Sequence, residues 1–252
     1  MSEHPSNERV HELLRRYSER IDRKSRLQEE GSVPKKKLPG FYSGIAGTHM
    51  KIGVLYYHIG NHDKCQSELS SSTEYFLKSA TENDLVVLSS LAYTKGLYTA
   101  ALAGEFEQIE FLANTVQEVQ QKHTIKPTDS YADRFYVASC LAGSCLNELS
   151  ERELNHLKTI NQSKPEKDAL YGQSILNFAI GTQNGNRDQI IRGIEAMLDY
   201  HQYDLNDDAI IDQIMCLEAT ALLIIARWKE NDICVESPYI PEQLVDAATS
   251  RE

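Results

Sequence analysis

The chain carries none of the short motifs that mark common enzyme frameworks. There is no Gly-x-Ser-x-Gly nucleophile turn and no phosphate-cradling glycine loop of the GxGxxG or GxxxxGK[ST] type. No Cys-x-x-Cys pair occurs. The five cysteines (Cys65, Cys140, Cys145, Cys216 and Cys234) are odd in number, which favours free thiols in a reducing compartment over a disulfide framework. Uninterrupted apolar runs are also missing. The most apolar stretch, Ile210 to Ala226, contains Asp212, Gln213 and Glu218, each costly in lipid, so a buried helix is expected there and no membrane span. The N-terminal MSEHPSNERV is polar and lacks the apolar segment of a secretory signal, so a cytoplasmic location is expected. Alternating β-branched runs are absent. The nearest, Ile233-Cys234-Val235-Glu236, is too short to build a sheet.

Basic residues are in short supply. Against 37 Asp+Glu stand 26 Lys+Arg, for a net charge of −11 over 252 residues. The imbalance is uneven. Residues 1–40 hold 10 Lys+Arg and 7 Asp+Glu, net +3, and the remainder holds 16 against 30, net −14. A body this acidic repels phosphates and argues against nucleic acid as a partner. Two readings of the charge remain: solubility alone, or attraction of a basic protein.

What fills the chain is helix-period hydrophobicity. From Asn7 to Glu29, Val10, Leu13, Leu14, Tyr17 and Ile21 form one stripe, with arginines over much of the rest. Gly31 to Gly40, with two prolines, two glycines and Lys35–Lys37, reads as a linker. Residues 1–40 are therefore set apart from an acidic all-helical unit spanning 41–252. Helices are expected at Phe41–Gly60, Asp63–Ser79, Asp84–Ala103, Phe106–Gln121, Ser130–Glu148, Glu151–Ile160, Lys167–Gly181, Arg187–His201 and Asp207–Lys229, with a short turn or helix after Pro241. Gly60-Asn61, Gly104-Glu105 and Asn184-Gly185-Asn186 supply stop and start signals. The turn spacing is close to that of two-helix repeats, and Leu97–Phe106 resembles a tetratricopeptide turn, without the repeated signature. The expected fold is all-α: a single domain of stacked antiparallel helical hairpins, an α-solenoid or tetratricopeptide-like bundle.

Candidate chemistry is sparse. His49, His58, His62, Asp63 and Cys65 form the richest ligand cluster, and a four-residue spacing such as His58/His62 can put two imidazoles on one helix face. Gly60-Asn61 between them points instead to a helix end and polar turn histidines. Cys140 and Cys145 sit in a small apolar run, where a buried thiol is unreactive. Asn161-Gln162-Ser163 matches a glycosylation acceptor and is treated as chance. No catalytic, cofactor or metal residue is assigned. A binding face is the better candidate. Asp199, Asp204, Asp207, Asp208 and Asp212, interleaved with Tyr200 and Tyr203, suit a basic protein surface, because carboxylates steer the encounter and tyrosines supply contact area. The alternative is a helix start enriched in acids to match its dipole. Among 13 tyrosines, Tyr93, Tyr98, Tyr131, Tyr136 and Tyr171 either line a groove or edge the core.

The chain's end is its most distinctive part: the apolar helix to Lys229, then Ile233-Cys234-Val235-Glu236-Ser237-Pro238-Tyr239-Ile240-Pro241-Glu242-Gln243-Leu244. In arrangement it resembles the ending of immunity protein family 49 of bacterial polymorphic toxin systems, whose members end in an Ala/Leu-rich helix followed by a short apolar segment with prolines. Length and all-α character agree as well. The basic N-terminal helix and the Lys35–Lys37 linker depart from that pattern, and no site motif carries over. The resemblance implies a cytoplasmic protein, without cofactor and without catalysis, that occludes a cognate toxin with a basic surface, often a nuclease domain. Outside that class stand a helical-repeat scaffold that holds peptides in a groove, and a metal-dependent hydrolase built on His49, His58, His62 and Asp63.

Overall fold

The computed structural model describes residues 5–205 and 209–250. Among the described residues there are twelve α-helices and a single 3-10 turn, and no strand. The first helix, α1 (Asn7–Glu29), starts at Ser6, whose hydroxyl accepts from the Arg9 N–H at 3.4 Å and satisfies one of the unpaired first-turn donors. Its expected stripe is the buried one: Val10, Leu13 and Leu14 enter the core, with Tyr17 and Ile21 packed against it. The Lys35–Lys37 segment is a 3-10 turn. It leads into α2 (Leu38–His58), which begins three residues before the expected Phe41. Pro39 lies in the first turn, where its missing N–H costs nothing. The connection is thus shorter than the expected linker, and α1 rests on α2.

From there the chain runs in antiparallel steps: α3 (His62–Thr81), α4 (Val86–Ala103), α5 (Phe106–Lys122), α6 (Ala132–Leu146), α7 (Glu151–Gln162), α8 (Glu166–Asn184) and α9 (Arg187–Asp204). The punctuation works as its chemistry demands. Asn61 and Asn186 accept from the Lys64 and Gln189 N–H groups, both at 3.2 Å, and open α3 and α9. Gly104 and Gly185 end α4 and α8 at φ of +71° and +61°, in the left-handed region. Successive helices from α1 to α9 pack on their neighbours, while α4, α6 and α8 also touch one another in series and leave α5 and α7 outside. All-α hairpin stacking in one domain is therefore the observed fold.

The expected single helix Asp207–Lys229 is instead two. Asp207 lies outside the described residues. The helices α10 (Ile210–Ile214) and α11 (Leu217–Trp228) are separated by Met215 and Cys216 in extended conformation. Tertiary contacts sustain the break: the Cys216 N–H donates to the Tyr239 carbonyl at 2.9 Å, and the Asp212 carbonyl meets His201 Nε2 at 2.9 Å. Unbroken burial from Ala219 to Ala226 makes α11 a core helix on every face. It packs against α4 and α9, so the last part of the chain returns to the middle of the stack. Arg227 then holds the tail, donating from Nε to the Ile233 carbonyl at 3.0 Å and pairing with Asp246 at 2.7 Å. Ile233, Ile240 and Leu244 dock it, and α12 (Glu242–Thr249) lies across α11 and α4. Among the described residues no helix is long and apolar enough to cross a membrane.

Candidate functional site

The residues expected to form one acidic, tyrosine-bearing face divide into two stripes of α9 and its surroundings. Asp199 and Tyr203, four apart, point outward with Gln202. Together with Glu166, Lys167 and Leu170 of α8 they bound an open groove of about 760 Å³. Lys167 occupies part of it, its Nζ 5.3 Å from the Tyr203 ring centre and 3.4 Å from the Tyr203 carbonyl. Tyr200 and Asp204 make the second stripe. Tyr200 is half-buried and meets Tyr171 of α8 edge-to-face at 5.4 Å, and Asp204 stays exposed. Asp212, on α10, joins this second group. Asp207 and Asp208 lie outside the described residues.

That second stripe leads to a cluster reached from five helices. Lys95 and Tyr98 come from α4, Tyr171 from α8, Tyr200 and His201 from α9, Asp212 from α10 and Glu218 from the first turn of α11. Closure of α11 onto α4 and α9 brings them together. The Tyr98 and Tyr171 hydroxyls share a hydrogen bond of 3.0 Å. His201 packs on the Tyr239 ring at 5.1 Å.

The electrostatics of the cluster follow from its enclosure. Burial pushes the Glu218 carboxyl above the usual glutamate range. Its own backbone N–H and the charges of Lys95 and His201 oppose that rise, and Asp212 adds to it. Asp212 is likewise raised, by desolvation first, with His201 and Lys51 opposing and Asp204 reinforcing. Burial also lifts Tyr98, Tyr171 and Tyr200, and the Glu218 charge adds to each rise. All three phenols are therefore protonated at neutral pH, with one proton of the Tyr98–Tyr171 pair held in the bond between them. The arrangement is a largely enclosed cluster of carboxyl and phenol groups.

Sequence reasoning placed Tyr200, Asp204 and Asp212 at a site and named Tyr98 and Tyr171 as groove or core-edge residues. It missed Glu218, counted there only as a cost to membrane insertion. The available signal was a lone carboxylate in an otherwise apolar helix, at a first-turn position where it also complements the helix dipole.

The histidine cluster is dispersed. His49 Nδ1 pairs with Glu68 Oε2 at 2.6 Å while its ring stacks on Tyr75 at 5.6 Å. His58 is the last residue of α2, with Nε2 3.2 Å from the Pro5 carbonyl. His62 opens α3 with its ring against Tyr57 at 5.7 Å. The glycine turn therefore separates the His58/His62 pair onto two helices. Among the described residues no group of three or more His, Cys, Asp or Glu side chains is placed to hold a metal ion. Asn161 of the acceptor tripeptide is only 6% exposed, against Gly172 between α7 and α8, where no glycan can be attached in the folded chain. Comparison with protein families, with curated proteins and with solved structures gives no match to this chain.

Proposed function

We propose that the chain is an immunity-type binding protein, which neutralises a basic toxin domain by covering it and performs no chemistry of its own. The observation that carries this reading is the meeting of carboxylates and tyrosines where α8, α9, α10 and α11 converge: Asp204, Asp212 and Glu218 with Tyr171 and Tyr200. Carboxylates attract a basic surface over distance, and tyrosines supply contact area at small entropic cost. The stack supports the face with packed helices, so little ordering is needed on binding. The resemblance of the tail to immunity family 49 points the same way: an apolar helix of 12 residues, a proline-bearing crossing and a short closing helix.

Co-expression tests the proposal. The chain should restore growth to cells producing the toxin domain encoded beside it, and the purified pair should associate more slowly as salt rises. A chain carrying Asp199→Lys and Asp204→Lys should associate at least roughly tenfold more slowly at low salt. Full growth with a toxin partner that neither binds the chain nor depends on these residues would refute occlusion by this face. A helical scaffold that holds many short peptides would instead recover numerous unrelated partners with little dependence on Asp204.

A further inference from the structure

Two exposed helix faces of opposite charge stand apart on this chain. On α1 the burial of Val10, Leu13 and Leu14 leaves Arg16, Arg20, Arg23 and Leu27 together on one exposed flank, at the i, i+4, i+7 and i+11 spacing of a helix face. The ion pairs that α1 makes are internal to it: Arg9–Glu12, Arg15–Glu19 and Arg16–Glu12. Among the described residues no ion pair joins α1 to the acidic remainder of the chain. The second face is on α5. Ile109, Leu112, Ala113 and Val116 turn to the core, and the opposite side presents Glu107, Phe111, Asn114 and Glu118 at the same spacing, with Glu110 beside them. Leu27 is 43% exposed and Phe111 53%. A single apolar residue in water is ordinary. Here each of the two sits within a charged face, and the two faces match in length and oppose in sign.

We propose that these faces meet between copies of this chain, with α1 of one copy lying antiparallel along α5 of the next. Antiparallel packing sets Arg16 against Glu118 and Glu12 against Lys122. The internal pairs Arg16–Glu12 and Lys122–Glu118 then close into a square of alternating charge. In the same register Arg20 meets Asn114, and Arg23 lies over the Phe111 ring between Glu107 and Glu110, a guanidinium on an aromatic face. Leu27 comes beside that ring and covers it further. Parallel packing would set Leu27 against Glu118 and align the two helix dipoles. Charge selects a second copy as the occupant: residues 41–252 hold 16 Lys+Arg against 30 Asp+Glu, net −14, so every copy brings an acidic surface to the basic helix of another. Because unlike faces meet, two copies either make the contact twice and close, or leave one face free at each end for a further copy. Neither face includes a residue of α8 to α11, and the inference stands apart from the immunity reading.

Sedimentation velocity of the full chain tests the contact. Two helix faces make a small interface, so association is read at high protein concentration. At about 0.01 M salt the sedimentation coefficient should rise with concentration, and at about 1 M salt it should return to the monomer value, because exposed charges are then screened. Arg16→Glu with Arg23→Glu, and separately Glu110→Lys with Glu118→Lys, should each weaken association at least roughly tenfold, with circular dichroism as in the wild type. Mixing the two variants should restore it, since each supplies the face that complements the other. Phe111→Ser, which leaves every charge in place, should weaken association as well. A wild type that stays monomeric at low salt, variants that associate like the wild type, or a mixture that stays monomeric would each overturn the proposal, and an unaffected Phe111→Ser would overturn the register. A monomeric wild type that binds phosphatidylserine vesicles through Arg16 and Arg23 would give the α1 face to a lipid surface instead.

Discussion

Burial decides the chemistry of individual side chains. Cys65, Cys140, Cys145 and Cys216 are buried and Cys234 is exposed, all five free. Desolvation pushes the Cys65 and Cys145 thiols up to about 12 and raises Cys140 and Cys216 as well, so none of the four is a thiolate at neutral pH. A thiol reagent applied to the native chain should therefore modify Cys234 alone, and all five after denaturation. Rapid native modification at a second cysteine would mean that the core opens there. Glu218 gives a pH prediction whose sign follows from its burial. Its folded-state pKa is raised, so the folded chain holds the proton more tightly than the unfolded one. Stability is then full below the ordinary glutamate range and declines as pH climbs through the raised value. Thermal melting against pH should show Glu218→Gln more stable than the wild type at neutral pH, the two converging in acid. An advantage that persists unchanged in acid would assign it to something other than the charge.

At the scale of elements, α8 and α9 lie backbone to backbone at Gly193. Ser174 Oγ donates to the Gly193 carbonyl at 2.6 Å, and a Cβ on Gly193 would stand 2.7 Å from the Phe178 nitrogen and 2.9 Å from the Ser174 carbonyl. Backbone atoms cannot yield as a flexible side chain does. Gly193→Ala should cost about 1–3 kcal/mol by chemical denaturation despite alanine's better helix propensity. An unchanged or raised midpoint would show that the two helices are further apart. The hairpin boundaries were legible because Gly and Asn mark them with local chemistry: Asn61, Gly104, Gly185 and Asn186 act where they stand. The break between α10 and α11 was not legible, since Met215 and Cys216 carry no breaker. Partners distant in sequence, Tyr239 and His201, satisfy the backbone groups that the break frees. The early start of α2 was masked by a Pro-Gly pair that reads as loop but is tolerated in a first helical turn. The candidate site was half legible for the same reason. Asp204 and Asp212 advertised themselves by local acid density, whereas Glu218 acquires its meaning only when α11 folds back beside α4 and α9.

Over the whole molecule, charge and topology act together. The net charge of −11 favours cationic over anionic partners, and the return of α11 to α4 and α9 brings Glu218 into the cluster that holds Asp212, Tyr171 and Tyr200. Arg227 ties the tail to α11 through Ile233 and Asp246, and the stacked pair Phe106–Trp228, 5.1 Å apart, fixes the end of α11 against α5. Arg227→Ala should thus loosen residues 233–249 and raise their hydrogen exchange, with α1 to α3 unaffected. Uniform acceleration across the chain, or none in the tail, would contradict that division. The most direct measurement of the central claim is hydrogen exchange on the chain alone and in complex with the toxin domain encoded beside it, which the proposal makes its partner. The account predicts a basic partner and protection concentrated on α8, α9 and the first turn of α11. An acidic partner, or protection confined to α5 and α7, would contradict it.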